Sequence, residues 1–383
     1  TYSFVRSVDH VEIRLEETTS PNINSTLPLG SFQDSRLLVR LQVHDTITGD
    51  FGSTEQQVTV RPYFGGGLLR KLVEEIIDNG GRQSEMISVA SQVSMASTSE
   101  LKQYYDDLSY IVDRTLNYTR NTMNTDEIGI EQQLYTVDLI TRHNEIVSNG
   151  AKETSLDIVS AVIEQNQANS SLSLATSTAT IQNMVNIVSN AANGGYKDQM
   201  VAGKTLIVSE MISQLVSSQL NAQAPLSTVV SKNFNLTVYL ASASIMANQS
   251  IGTDSETENT FQIPLKFDLD LGLGNSTLVS SLLVFNENPY INASKQEKTS
   301  SPIIDIKFKD VNGTVLPVTN LTQPLMIYFD RGRANRQGAC PEATFKCQYW
   351  SESDHMWRSD GCYWMDSPTN GDHIACACNH TTS

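Results

Sequence analysis

The sequence predicts an α+β protein: a helical subdomain, then an antiparallel β-sandwich ending in a disulfide-stapled segment, with a partial β-module in front. Three observations carry this. From Leu68 to Leu215 apolar residues recur every three to four positions, the period of helices with one buried face. Beyond Pro225 they alternate with polar residues instead, as half-buried strands do. Four of the five cysteines and all three tryptophans fall in the last 37 residues, Cys347 to Ser383.

In chain order, residues 1–64 read as strands. His10–Leu15 and Arg36–Val43 alternate, Asp45–Gly49 is a polar turn, and Gln57–Arg61 is a last strand stopped by Pro62. Three or four strands do not make a sandwich alone, so this is a partial β-module. Residues 67–223 form the helical subdomain. Its first face is Leu68, Leu69, Leu72, Val73, Ile76 and Ile77, closed by Asn79-Gly80-Gly81. Met86, Val89, Val93 and Ala96 make a weaker stripe. The clearest helix carries Leu101, Tyr104, Tyr105, Leu108, Ile111, Val112, Thr115 and Leu116, with Ser97 and Glu100 at capping-box spacing before it.

Further stripes pass through Leu134, Val137 and Ile140, then Leu156, Val159 and Ile163, then Ile181, Met184, Val185 and Val188. The last passes through Met200, Ile207, Met211 and Leu215. About seven helices result. Residues 225–383 are the sandwich: Leu236, Val238 and Leu240 alternate with Thr237 and Tyr239, and Ile304, Ile306 and Phe308 with Asp305, Lys307 and Lys309. Leu325–Phe329 is a more buried strand.

Composition narrows the function classes. The formal charge of −16 argues against a nucleic-acid partner, which needs clustered Lys and Arg. No run approaches eighteen apolar residues and no signal-peptide pattern opens the chain, so residue 1 reads as a boundary, not a natural start. Asn-x-Ser/Thr sequons stand at Asn24, Asn117, Asn169, Asn235, Asn248, Asn275, Asn292, Asn312, Asn320 and Asn379. Six of the ten lie between Asn235 and Asn320, which suits a glycosylated extracellular surface. Clustered cysteines suit an oxidising compartment.

The end segment holds the chemistry. Cys362, His373, Cys376, Cys378 and His380 can be drawn as a zinc site, but structural zinc uses paired Cys-x₂₋₄-Cys units. No metal and no cofactor is expected. Cys347, Cys362, Cys376 and Cys378 instead suggest two disulfides, with three pairings open, and Trp350, Trp357 and Trp364 are expected to pack over them. Cys340 is left over. Asp268, Asp270, Asp330, Arg331 and Arg333 read as turn and surface charge. No carboxylate pair or separate triad marks a multi-turnover enzyme.

As a pattern, Cys347-x-x-Trp350, Trp357, Gly361-Cys362 and Cys376-x-Cys378-Asn379-His380-x-Thr382 closely resembles the GPS motif. That motif ends the GAIN domains of adhesion G-protein-coupled receptors and polycystin-type proteins. GAIN domains consist of a helical subdomain followed by a β-sandwich, which agrees with the order read above. The turn at 45–49 with the strand 57–62 also looks like the end of the immunoglobulin-like repeats of polycystin-type receptors.

The resemblance implies a single self-cleavage in cis. His380 would act as general base, Thr382 as nucleophile and Thr381 as the residue whose carbonyl is attacked. The fragments would stay associated, so the partners are the chain's own C-terminal fragment and transmembrane region and an extracellular ligand. The family usually has Leu where Thr381 stands, and Thr381 is also what makes Asn379 a sequon. The apolar strand that follows the cut in the family lies beyond Ser383. The alternative is a GAIN-fold adhesion or ligand-binding module that never cuts.

Overall fold

A computed structural model describes residues 2–8, 11–18, 36–44, 51–59, 66–81, 83–124, 126–168, 177–193, 198–221, 223–252, 260–290, 301–330, 346–351, 356–365 and 373–381. Thr382, Cys340, Arg331, Arg333, Asn24, Asn169 and Asn292 lie outside these. The protein is α+β, and the chain forms two compact units, Thr1–Ala191 and Ala192–Ser383. None of the described helices is long and apolar enough to cross a membrane.

The first unit opens with an antiparallel sheet of order β2-β1-β3-β4, made of β1 (Tyr2–Val8), β2 (Val11–Thr18), β3 (Arg36–His44) and β4 (Phe51–Thr59). β1 is absent from the sequence reading. The β1–β2 register shifts between Phe4 and Val5, and such a bulge breaks the alternation by which a strand is recognised.

Helices follow: α1 (Gly66–Asp78), α2 (Gln83–Ser94), α3 (Thr98–Gln103), α4 (Tyr105–Asn121), α5 (Glu127–Ile140), α6 (Asn149–Ala168) and α7 (Thr178–Ala192). Ser97 caps α3 in a capping box with Glu100, as its spacing predicts. The single helix expected over 101–116 breaks at Tyr104, which leaves the helical region at φ −117°. Most of each predicted stripe is buried: Leu69, Val73 and Ile76, then Leu108, Ile111, Val112 and Leu116, then Leu156, Val159 and Ile163; Leu68 and Tyr105, expected on the first two of these faces, are exposed instead.

The second unit begins with α8 (Gln199–Ser217). The stripe expected here is corrected. Met200 and Ile207 are exposed, while Val201, Thr205, Val208, Ile212 and Leu215 are buried together with Ser209 and Ser213. The hydroxyls on the buried face turn back onto the helix itself, Thr205 donating to the Val201 carbonyl and Ser209 to the Thr205 carbonyl. Glu210 on α8 pairs with Lys307 and Lys309.

Two antiparallel sheets complete the unit. The first, of order β10-β9-β6-β5, contains β5 (Leu226–Val230), β6 (Phe234–Ser242), β9 (Thr277–Phe285) and β10 (Ile303–Asp310). The second, of order β14-β15-β11-β8-β7, contains β7 (Ser250–Gly252), β8 (Thr260–Gln262), β11 (Leu325–Asp330), β14 (Cys362–Met365) and β15 (His373–Cys378). A small hairpin, β12 (Tyr349–Ser351) with β13 (Met356–Arg358), stands apart. Short helices α9 (Ala243–Met246) and α10 (Phe267–Asp270) cross between the sheets.

One core joins the sheets: Leu278, Leu282, Val284, Ile306 and Phe308 from the first, Ile251, Phe261 and Leu325 from the second. Truncating a side chain such as Phe308 would cost about 3–5 kcal/mol. The alternate residues of β10 were expected in water. Instead Asp305 and Lys309 are buried, because α8 covers that face.

Candidate functional site

The site is the turn after β15. That strand lies between β14 and β11, with Cys362 directly opposite Cys378 and Leu325 opposite Cys378 on the other side. The disulfides are Cys347–Cys376 and Cys362–Cys378, separated by 29 and 16 residues. Each should stabilise the native state by roughly 2–4 kcal/mol. The three cysteines of the drawn zinc site are thus all oxidised, and among the described residues no His, Cys, Asp and Glu side chains gather as a metal site.

The expected tryptophan cover is corrected. Ile327, Phe329 and Tyr349 pack on the four sulfurs. Trp350 and Trp357 face each other across the β12–β13 hairpin at 5.6 Å and enclose Tyr290, and Trp364 is exposed. Side chains alternate along a strand, so Tyr349 and Trp350 point to opposite sides. The sequence reading followed the larger ring.

Backbone hydrogen bonds hold residues 379–381 on both flanks. Asn379 N–H donates to the Gly361 carbonyl, Leu321 N–H to the Asn379 carbonyl, and Thr381 N–H to the Val318 carbonyl, each at 3.0 Å. Gly361 has φ +75°, a conformation glycine adopts freely. A Cβ there would lie 2.5 Å from Asn379 Oδ1 and 2.8 Å from His380 Nε2. The absent side chain is what admits the imidazole.

His380 is fixed by three neighbours. Its Nε2 lies 3.0 Å from the Asp360 carbonyl oxygen. A carbonyl only accepts, and Nε2 makes the shorter of the ring's two carbonyl contacts, so the neutral ring is assigned its proton on Nε2 and its lone pair on Nδ1. Nδ1 lies 3.4 Å from the Thr381 carbonyl oxygen. The Tyr349 ring stands edge-on at 4.5 Å, and its hydroxyl donates to Asp360 Oδ2 at 3.1 Å. Nδ1 therefore faces the Thr381 carbonyl. Once protonated, Nδ1 becomes a donor aimed at the Thr381 carbonyl.

Sequence reasoning singled out His380, Thr381 and Gly361, which the fold brings together, and Thr382, which lies outside the described residues. It missed Tyr349, Asp360, Val318 and Leu321. Only Tyr349 carried a signal, as the neighbour of Trp350 beside Cys347. Asp360 and Val318 act through backbone carbonyls, which no side-chain pattern marks. The Asp270 carboxylate holds a turn, accepting from the Thr322 N–H and hydroxyl at 2.9 Å. Among the sequons, Asn235 is buried and its Oδ1 accepts from Ser231 N–H at 3.0 Å, so the fold leaves it no room for a glycan. Asn117, Asn248, Asn275, Asn312, Asn320 and Asn379 are exposed.

Residues 228–383 match the family model GPS, described as GAIN subdomain B. The chain carries a GAIN domain that ends in a GPS. Among solved structures the chain resembles the full extracellular region of zebrafish Gpr126/Adgrg6, with TM-score 0.50 and 15% identity over 68% of this chain. At that identity the likeness is one of fold. The match spans 36% of the Gpr126 chain. No curated protein matches the sequence.

Proposed function

We propose that this GAIN domain is the extracellular part of a membrane receptor or polycystin-type protein that cuts its own chain once, between Thr381 and Thr382. Residues 67–223 would be its subdomain A and 225–383 its subdomain B, with 1–64 as the end of an immunoglobulin-like repeat. The observation that carries the reading is the His380 ring, pinned by Asp360 so that Nδ1 faces the Thr381 peptide.

In the proposed step His380 Nδ1 takes the proton from the Thr382 hydroxyl, a poor nucleophile unaided. The oxygen attacks the Thr381 carbonyl carbon, and the imidazolium Nδ1–H stabilises the developing oxyanion. Collapse breaks the C–N bond as the imidazolium returns its proton to the Thr382 nitrogen. Water then hydrolyses the ester, leaving a carboxylate on Thr381 and a free amine and hydroxyl on Thr382. Base assistance of this kind contributes about 10²–10⁴-fold. The strand that follows would stay paired within the sandwich, so that ligand or force separates the fragments.

The test is the protein extended past Ser383, on a denaturing gel. Two bands are expected, the smaller beginning at Thr382 by N-terminal sequencing. His380→Ala and Thr382→Ala should each give one uncut band. Cutting at the same bond in either variant would sink the assignment.

A second reading, a GAIN fold that does not cut, is favoured by one feature. Thr381 makes Asn379 a sequon, and Asn379 is exposed beside His380. A glycan attached before folding would crowd the imidazole. Asn379→Gln is then expected to raise the cut fraction in a glycosylating host. Intact masses showing glycan on fully cut chains would refute the interference.

A further inference from the structure

One end of the sandwich exposes more apolar surface than a lone surface residue explains. Leu269 is 72% exposed, Val311 65%, Leu265 62% and Ile245 59%. They sit where the chain repeatedly passes between sheets: α9 leads from β6 to β7, α10 lies between β8 and β9, and Val311 follows β10. The antiparallel register puts Ser242 opposite Thr277 and Asp310 opposite Leu278, so these crossings share one end. Scattered apolar residues need no account, but several gathered at one place do.

Four sequons border the same end, each tied to one of the exposed side chains. Asn248 lies just past α9, three residues after Ile245, and its N–H donates to the Ile263 carbonyl, two residues before Leu265. The Asn275 Oδ1 accepts from Ser244, the neighbour of Ile245, at 2.9 Å. Asn312 adjoins Val311, with its N–H on Asp310 Oδ1 at 2.9 Å. Asn320 belongs with Thr322, which Asp270 holds next to Leu269. Asn248 and Asn320 have φ +65° and +57°, a left-handed conformation that asparagine tolerates better than most residues. All four are exposed.

We propose that N-linked oligosaccharides on Asn248, Asn275, Asn312 and Asn320 cover this apolar end and keep it from associating with a second copy. Each attachment uses a lipid-linked oligosaccharide. The asparagine amide nitrogen forms a bond to the anomeric carbon, the C–O bond to the lipid diphosphate breaks, and the amide loses one proton. The innermost sugars then lay the apolar C–H faces of their rings over Ile245, Leu265, Leu269 and Val311, removing that surface from water. The proposal rests on the extracellular placement given above.

The test uses the 383-residue chain secreted from a glycosylating host. Peptide mapping should find all four asparagines occupied. Enzymatic removal of the glycans from the folded protein should then raise the weight-average mass in sedimentation by about twofold, since a closed dimer is the commonest association. Leu269→Asp should abolish that rise in the stripped protein. Unoccupied sites at this end, or stripping that leaves the mass and hydrophobic-dye binding unchanged, overturns the cap. Absence of glycan from every sequon, Asn117 included, would count against the extracellular placement as well. Run on the Asn379→Gln chain, the gel for the Thr381–Thr382 cut reads independently of both.

Discussion

Gly361→Ala is expected to slow cleavage at Thr381–Thr382 by about 10²–10⁴-fold, the share attributable to a positioned base. Two effects coincide at this residue. The φ of +75° costs an L-residue on the order of 1–2 kcal/mol. In addition the new methyl would lie 2.7 Å from His380 Cδ2 and 2.8 Å from Nε2, so the ring must move off the Asp360 carbonyl. With that bond lost, nothing fixes the tautomer and Nδ1 no longer faces the scissile peptide. Gly313→Ala separates the two effects. Gly313 has φ +85° with nothing within 4 Å of a Cβ, so it carries the strain without the collision. It should lower stability by about 1 kcal/mol and leave the cut fraction unchanged. Pulse–chase of the extended protein reads cutting, and thermal unfolding reads stability. If Gly361→Ala cuts as fast as the parent while remaining folded, the imidazole does not depend on this clearance.

The contrast between those two glycines is invisible in the sequence, where both simply follow a polar residue at a turn. What was legible is what local periodicity controls. The change from helix to strand at Pro225 was readable because packing imposes the period directly on apolar residues, as it does at Leu108, Ile111 and Leu116. The Ser97 cap was readable because its partner Glu100 is three residues away. The His-x-Thr end was readable because its chemistry is written in side chains. The disulfide pairing was not, since it depends on Cys362 landing opposite Cys378 across two strands. Nor was the true face of α8. Met200 and Ile207 offered the apolar spacing, but the buried face is that of Val201, Val208, Ile212 and Leu215, and Glu210 meets Lys307 and Lys309 on the sheet, a tertiary match that no local pattern announces.

That polar match should be expensive to break. Glu210→Ala is expected to destabilise the second unit by about 3–5 kcal/mol, the usual effect of removing one partner of a buried ion pair. The reason is Lys309, whose side chain is 2% exposed and whose ammonium meets Glu210. Lys307 adds a second contact to Glu210 at 3.1 Å and one to Asp305 at 3.5 Å. Without Glu210 the Lys309 charge stays buried and unpaired. For a unit of this size the loss corresponds to a Tm lower by roughly 10 °C, at about 2–4 °C per kcal/mol. Glu210→Leu combined with Lys309→Met should recover most of it, because a matched apolar pair carries no stranded charge. Acid should mimic the single variant. Burial alone would raise the Glu210 pKa, but the charges of Lys307 and Lys309 and their hydrogen bonds outweigh it and hold it below 4.5. A carboxylate lowered on folding contributes stability above its unfolded value and loses it as pH falls through the folded one. The parent should therefore show a stability loss on that acid limb that the Leu–Met double variant lacks. Equal acid limbs in the two proteins, or a Glu210→Ala Tm within a degree or so of the parent, would mean that the helix is held by its apolar residues alone.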